Sequence, residues 1–138
     1  MKYLILVCGL VGFDQLTKWW ARYDLSGVME LIPEVMFRFS ENTGIAFSLP
    51  LPVYITIPLT FLVIVFIGWQ LFKKALSGLG ALALALILAG AIGNFIDRVL
   101  YGGVTDFIAV MQFPVFNVAD SLITVGVVFY LWNEVFAK

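Results

Sequence analysis

The sequence predicts an all-α membrane protein, a bundle of four transmembrane helices, and three observations carry that prediction. Hydrophobic residues fill 62% of the 138 positions and charged residues only 12%, about half the charged share of an ordinary soluble domain. Thirteen Phe, four Trp and a mean hydropathy of +1.04 leave too little polar surface for a soluble globule and exclude a disordered or fibrous chain. Four apolar stretches of about 20 residues, each matched to roughly 30 Å of hydrocarbon, consume most of the length. No repeat, low-complexity run or linker divides them, so one integral membrane domain spanning 1–138 is expected.

The first span is placed at about 3–21, although Asp14 and Lys18 interrupt it. Lys2 followed by Tyr3 to Val11 would suit a secretory signal peptide, but no small-x-small cleavage site follows, so the segment is retained as a helix. The second span, about 53–72, is almost purely apolar, with Pro58 in its second turn. The third, about 79–96, follows a short turn that begins at Lys73 and Lys74 and passes Ser77 and Gly78. The fourth, about 117–135, carries no charge from Leu122 to Trp132. Lys2, Lys138 and the Lys73-Lys74 pair flank span ends closely, whereas Lys18, Arg22, Arg38 and Arg98 fall on the other side. Charge density near the spans therefore places both termini in the cytoplasm. Trp69 and Trp132 mark the inner interface, and Trp19 with Trp20 the outer one.

Within the third span, Ala81, Ala85, Ala89 and Gly93 recur every fourth residue, a small face that lets a neighbouring backbone approach. One further step reaches Asp97. The outer connection 22–51 contains Met36-Phe37-Arg38-Phe39-Ser40-Glu41, whose alternation suits a strand; Phe37, Phe39, Ile45 and Phe47 are placed to touch lipid. Cys8 reads as a buried helix residue.

The polar residues converge in depth. At 1.5 Å per residue, Asp14 lies about 18 Å beyond Lys2 and Asn94 roughly 22 Å beyond Leu79, while Asn117 and Asp120 open the last span. Asp106 and Asn42 come from the two outer connections. Separate pieces of chain thus deliver Asp14, Asn42, Asn94, Asp97, Arg98, Asp106, Asn117 and Asp120 to one level. Polar groups at membrane depth are costly unless paired or solvated, which makes the cluster a candidate site. Structural explanations stand beside that reading: an i,i+4 pair of Asp14 with Lys18, a helix-end pair of Asp97 with Arg98, and an N-cap at Asn117 with Asp120 three residues on.

Asp106 has no obvious local basic partner except Arg98. Together with Asp120 it supplies two carboxylates from different segments, and like charges held close share a proton near neutral pH. Such a pair suits activation of water against a carbonyl, and it equally suits proton transfer. The chain has no histidine and one cysteine, which removes Ser/His and Cys/His catalysis, an internal disulfide and the commonest zinc ligands. Ser121 has no placed lysine partner, and Gly102-Gly103 lacks the Lys-Ser/Thr of a phosphate loop. A net charge of −1 without a basic run gives no footprint for nucleic acid. A proton-coupled transporter would need polar access from both sides, whereas the inner halves of the last three spans are apolar. A purely structural subunit leaves the polar clusters without a role.

Five pieces occur in order: Asp14-Gln15-Leu16-Thr17-Lys18, Glu41-Asn42-Thr43-Gly44-Ile45-Ala46-Phe47, Gly93-Asn94-Phe95-Ile96-Asp97-Arg98, Val104-Thr105-Asp106-Phe107 and Phe116-Asn117-Val118-Ala119-Asp120-Ser121. In these pieces the chain resembles the lipoprotein signal peptidases, or signal peptidases II, which are bacterial membrane aspartic peptidases. The resemblance implies a small extracytoplasmic β-cradle and a short helix at the mouth of the bundle. It implies Asp106 and Asp120 as catalytic pair, with Asn94, Arg98 and Asn117 bracing it and Asp14, Asn42, Gly44 and Asp97 around it. It further implies no metal or other cofactor, a place in the cytoplasmic (inner) membrane with the site near the outer leaflet, and lipid contact. The substrate would be a diacylglyceryl-modified prolipoprotein, cut on the amino side of its lipidated cysteine. Four spans can enclose such a site, which suits a monomer.

Overall fold

The computed structural model describes residues 2–44, 51–73 and 78–136. Expectations for Ile45, Phe47, Lys74, Ser77 and Lys138 lie outside the described residues. The elements run α1 (Lys2–Tyr23), β1 (Val28–Ile32), β2 (Val35–Asn42), α2 (Val53–Lys73), α3 (Gly78–Tyr101), β3 (Val104–Val110) and α4 (Val118–Phe136). At 1.5 Å per residue, helices of 19 to 24 residues span roughly 28–36 Å. By length and composition alone, α2, α3 and α4 are apolar enough to cross a membrane. α1 has the length, and the polar residues that dilute it, Asp14 and Lys18, are buried against its neighbours. A helix running past Ile96 to Tyr101 departs from the expected end of the third span. Asp97 is satisfied by partners on α1 and β3, so its charge does not end the helix.

α3 is the axis of the bundle, packed by α1, α2 and α4. Its small face explains why: Ala81, Ala85 and Ala89 are wholly buried and Gly93 and Asp97 continue the same face inward. Large apolar side chains instead point outward on α1, α2 and α4, among them Phe13, Leu62, Phe66, Trp69, Val128 and Trp132. That distribution suits lipid, which rewards small residues between helices and large ones outside. Cys8 corrects the expectation of burial: it is exposed on α1, bordering an apolar groove of about 540 Å³ between α1 and α2. In lipid an apolar side chain gains little by facing inward, so hydrophobicity did not predict its direction.

At one end of the bundle, β1, β2 and β3 form an open antiparallel sheet in that order. The strand expected at Met36–Glu41 is its central member. Trp20 of α1 packs edge-on against Phe37 and Phe107, at centroid distances of 5.5 and 6.1 Å, and the two phenyl rings lie 5.9 Å apart. Phe37 and Trp20 therefore fix the sheet to α1, a correction to the lipid contact expected of Phe37. Phe39 is 41% exposed. Among the described residues there is no separate short helix at the mouth.

Candidate active site

Two backbone turns bring the acidic residues together. α3 ends where Gly102 takes a φ of 77°, the left-handed conformation that glycine adopts without strain. The chain then reverses into β3 and returns over α3, carrying Asp106. Phe116 exchanges backbone hydrogen bonds with Ile108 and accepts another from Phe107 at 2.8–3.0 Å. The residue before Asn117 is thereby tied to the strand just beyond Asp106, and α4 starts beside it.

Asn117 is the N-cap of α4. Its Oδ1 accepts the Asp120 N–H at 2.9 Å, and Asp120 Oδ2 accepts the Asn117 N–H at 3.3 Å, a reciprocal capping box. The structural reading of this motif holds, and the same two residues reach the cluster. Asn117 Nδ2 donates to Asp106 Oδ1 at 2.6 Å and to Asn94 Oδ1 at 3.3 Å. Asn94 Nδ2 donates to Asp120 Oδ1 at 2.8 Å. Asn42 Nδ2 donates to Asp106 Oδ2 at 3.2 Å, while its Oδ1 accepts the Gly44 N–H at 3.0 Å. Asp106 and Asp120, 14 positions apart in sequence, are thus linked through two side-chain amides. Arg98 donates to the carbonyls of Asn94 and Gly44 at 3.4 and 3.5 Å and exerts its charge on both carboxylates.

Asp106 is 3% exposed, whereas Asp120 is only half-buried. Burial first, and then the like charge of Asp120, push the Asp106 carboxyl up from 3.8 to about 6, against the hydrogen bonds from Asn117 and Asn42. Neutral amides orient the Asp106 carboxylate without cancelling its charge, so Asp106 holds its proton more readily than an exposed carboxyl does.

Asp14 and Asp97 stand on the other side of Asn94. Asp14 Oδ1 accepts the Ala119 N–H at 2.8 Å and its Oδ2 pairs with Lys18 Nζ at 2.9 Å, as the i,i+4 spacing led us to expect. A Cβ on Gly93 would run into this carboxylate, so the small residue there admits Asp14 to α3 and α4. Asp97 accepts the Thr105 N–H at 2.8 Å and Gln15 Nε2 at 3.2 Å, with Lys18 Nζ at 3.9 Å. Its expected helix-end pair with Arg98 is replaced by these contacts. Sequence reasoning did not assign Gln15, Lys18 or Thr105 to the site; the first two lay within the Asp14-to-Lys18 piece. A cleft of about 180 Å³ opens behind them, bordered by Lys18, Trp19, Arg22, Tyr101 and Thr105. Among the described residues every buried side-chain nitrogen and oxygen has a hydrogen-bond partner, so the cluster is held as one network.

Membrane-length helices closing around a buried cluster of aspartates and amides define the class as a polytopic membrane protein with a polar site at one end of its bundle. Known proteins resemble the chain over nearly its full length. The family model described as Signal peptidase (SPase) II matches residues 6–136. A lipoprotein signal peptidase of Polynucleobacter necessarius is 38% identical, covering 97% of this chain and 89% of that protein. Another, of Streptococcus thermophilus, is 41% identical over 94% of this chain and 92% of the relative. A solved structure described as a bacterial membrane enzyme superposes with a TM-score of 0.89 at 30% identity, over 99% of this chain and 92% of the other. The chain belongs to the signal peptidase II family and is an aspartic endopeptidase of that type, a multi-pass inner-membrane protein acting on lipoprotein precursors.

Proposed function

We propose that Asp106 and Asp120 are the catalytic pair, and that the chain, 1–138, works as one membrane peptidase unit cutting diacylglyceryl-modified prolipoproteins on the amino side of the lipidated cysteine. The observation that carries the reading is the wiring of these two carboxylates through Asn94 and Asn117, with amide donors and, among the described residues, no cation in salt-bridge contact. Asp120, half-buried at the mouth, is the base toward water, and Asp106 carries the shared proton toward the scissile carbonyl. A bound peptide bond removes more water from Asp106, which further favours the protonated form. Arg98 and the side chains of Asn42 and Asn117 offer fixed donors where charge develops. Gly44 supports this arrangement through the acceptor it gives Arg98 and the N–H it gives Asn42.

Lys2 and Lys73 lie at the end of the bundle away from the sheet, which supports cytoplasmic termini and a site at the outer leaflet. A substrate held there can leave its acyl chains in the bilayer while water enters beside the sheet. One copy supplies every residue named in the site, in keeping with a functional monomer. The test is a purified enzyme given a lipidated pro-peptide, with products read by mass spectrometry. Asp106→Asn and Asp120→Asn should each abolish cleavage while remaining folded; normal turnover by either overturns the pair. An otherwise identical unlipidated peptide should be cut poorly, and equal processing would remove the lipid from the substrate claim.

A further inference from the structure

Lys18 is the buried cation, among the described residues, that the cleavage chemistry does not use. It is 2% exposed, deep on α1, and its Nζ reaches Asn94 Oδ1 at 2.9 Å as well as Asp14. The chemistry of these groups fixes the direction of the intervening amide. An ammonium only donates and a carboxylate only accepts. Asn94 must therefore turn its oxygen to Lys18 and its nitrogen to Asp120, as observed at 2.9 and 2.8 Å. Without the ammonium, only the longer 3.3 Å contact from Asn117 holds that oxygen, and a rotated amide would set its oxygen against the Asp120 carboxylate.

We propose that Lys18 is a positioning residue for the acid pair, acting through Asn94 to keep an amide donor on Asp120. This rests on Asp106 and Asp120 being the catalytic pair. The charged groups around the core are Asp14 and Arg22 from α1, Asp97 and Arg98 from α3, Asp106 from β3 and Asp120 from α4, with Glu41 of β2 near Gly103. α2 has no charged residue from Val53 to Phe72. The Lys18 charge also favours ionised Asp106.

The test compares full-length Lys18→Met and Asp14→Asn/Lys18→Met with the parent and with Asp106→Asn, each normalised to folded protein. Lys18→Met should lose roughly tenfold to a hundredfold in kcat, the scale of one hydrogen bond to a charged group, with KM little changed. The alkaline limb of its kcat/KM profile should move to higher pH. The double variant removes one charge of each sign, so it regains stability, and kcat should stay low because Asn94 still lacks its anchor. If Lys18 only balances charge, the double variant returns to the parent kcat, and the proposal is overturned. Parent kcat in Lys18→Met overturns it too. Normal turnover by Asp106→Asn would instead remove the catalytic pair on which the proposal rests.

Discussion

Two pairs of aspartates stand on opposite sides of Asn94, and they are compensated differently. Asp14 and Asp97 share the Lys18 ammonium and accept the backbone N–H groups of Ala119 and Thr105. They pin the first turn of α4 and the start of β3 to α1 and α3. Asp106 and Asp120 receive side-chain amides from Asn42, Asn94 and Asn117, and Asp120 also takes the Asn117 N–H. The first pair is tied to a cation and to backbone N–H groups; among the described residues the second has no cation in salt-bridge contact and feels only the longer-range charge of Arg98. Within one network, we propose, the presence or absence of a directly paired cation separates carboxylates that hold the fold from carboxylates available for chemistry.

The largest effect that sharpens this contrast is the loss of roughly a thousandfold or more in turnover expected for Asp106→Asn or Asp120→Asn, since each removes acid–base chemistry. Asp14→Asn should behave differently. The amide keeps an acceptor for the Ala119 N–H but leaves Lys18 less compensated, so thermal stability should fall by several degrees, roughly what a lost buried partner costs. Activity per folded molecule should fall far less than for Asp106→Asn; equal losses would erase the distinction between the pairs.

A middle-sized effect concerns pH. The Asp106 carboxyl is raised to about 6 from 3.8, so between those values the folded state binds more protons than the unfolded one. Its burial therefore costs nothing below the unfolded value, and the cost grows as pH rises to about 6 and persists above it. Asp106→Asn should raise Tm at neutral pH, with the gain shrinking toward pH 4 on the order of the unfolded carboxyl value. For the parent, kcat/KM should decline above about 6 as the shared proton is lost, and kcat should hold to higher pH once substrate covers the pair. The smallest effect is at Gly93→Ala, whose methyl group must displace the Asp14 carboxylate. It should lower Tm while leaving the pH profile in place.

The spans were legible because about 20 apolar residues have few other uses, and the small face of α3 marked its central place. The arrival of Asp106 and Asp120 in one polar cluster, and the Asn117 cap, were legible from residue type and order. The rear network was not. Lys18 meets Asn94 from 76 positions away and Gln15 meets Asp97 from 82, and hydropathy along α1 does not say which helix receives those side chains. Asp97 was assigned to Arg98 because they are adjacent, yet consecutive helical residues point about 100° apart and do not face each other. Phe37 alternates as a lipid-facing strand residue would, and only the arrival of Trp20 from α1 turns it into a sheet anchor.

The claim that one pair is compensated and the other shares a proton is tested most directly by infrared titration of carboxyl groups in the parent and in Asp106→Asn, both reconstituted in bilayers. The account predicts a protonated-carboxyl band that disappears as pH rises through about 6 and that is missing from the variant. An identical band in both proteins, or none in the parent above the ordinary carboxylate range, would contradict it.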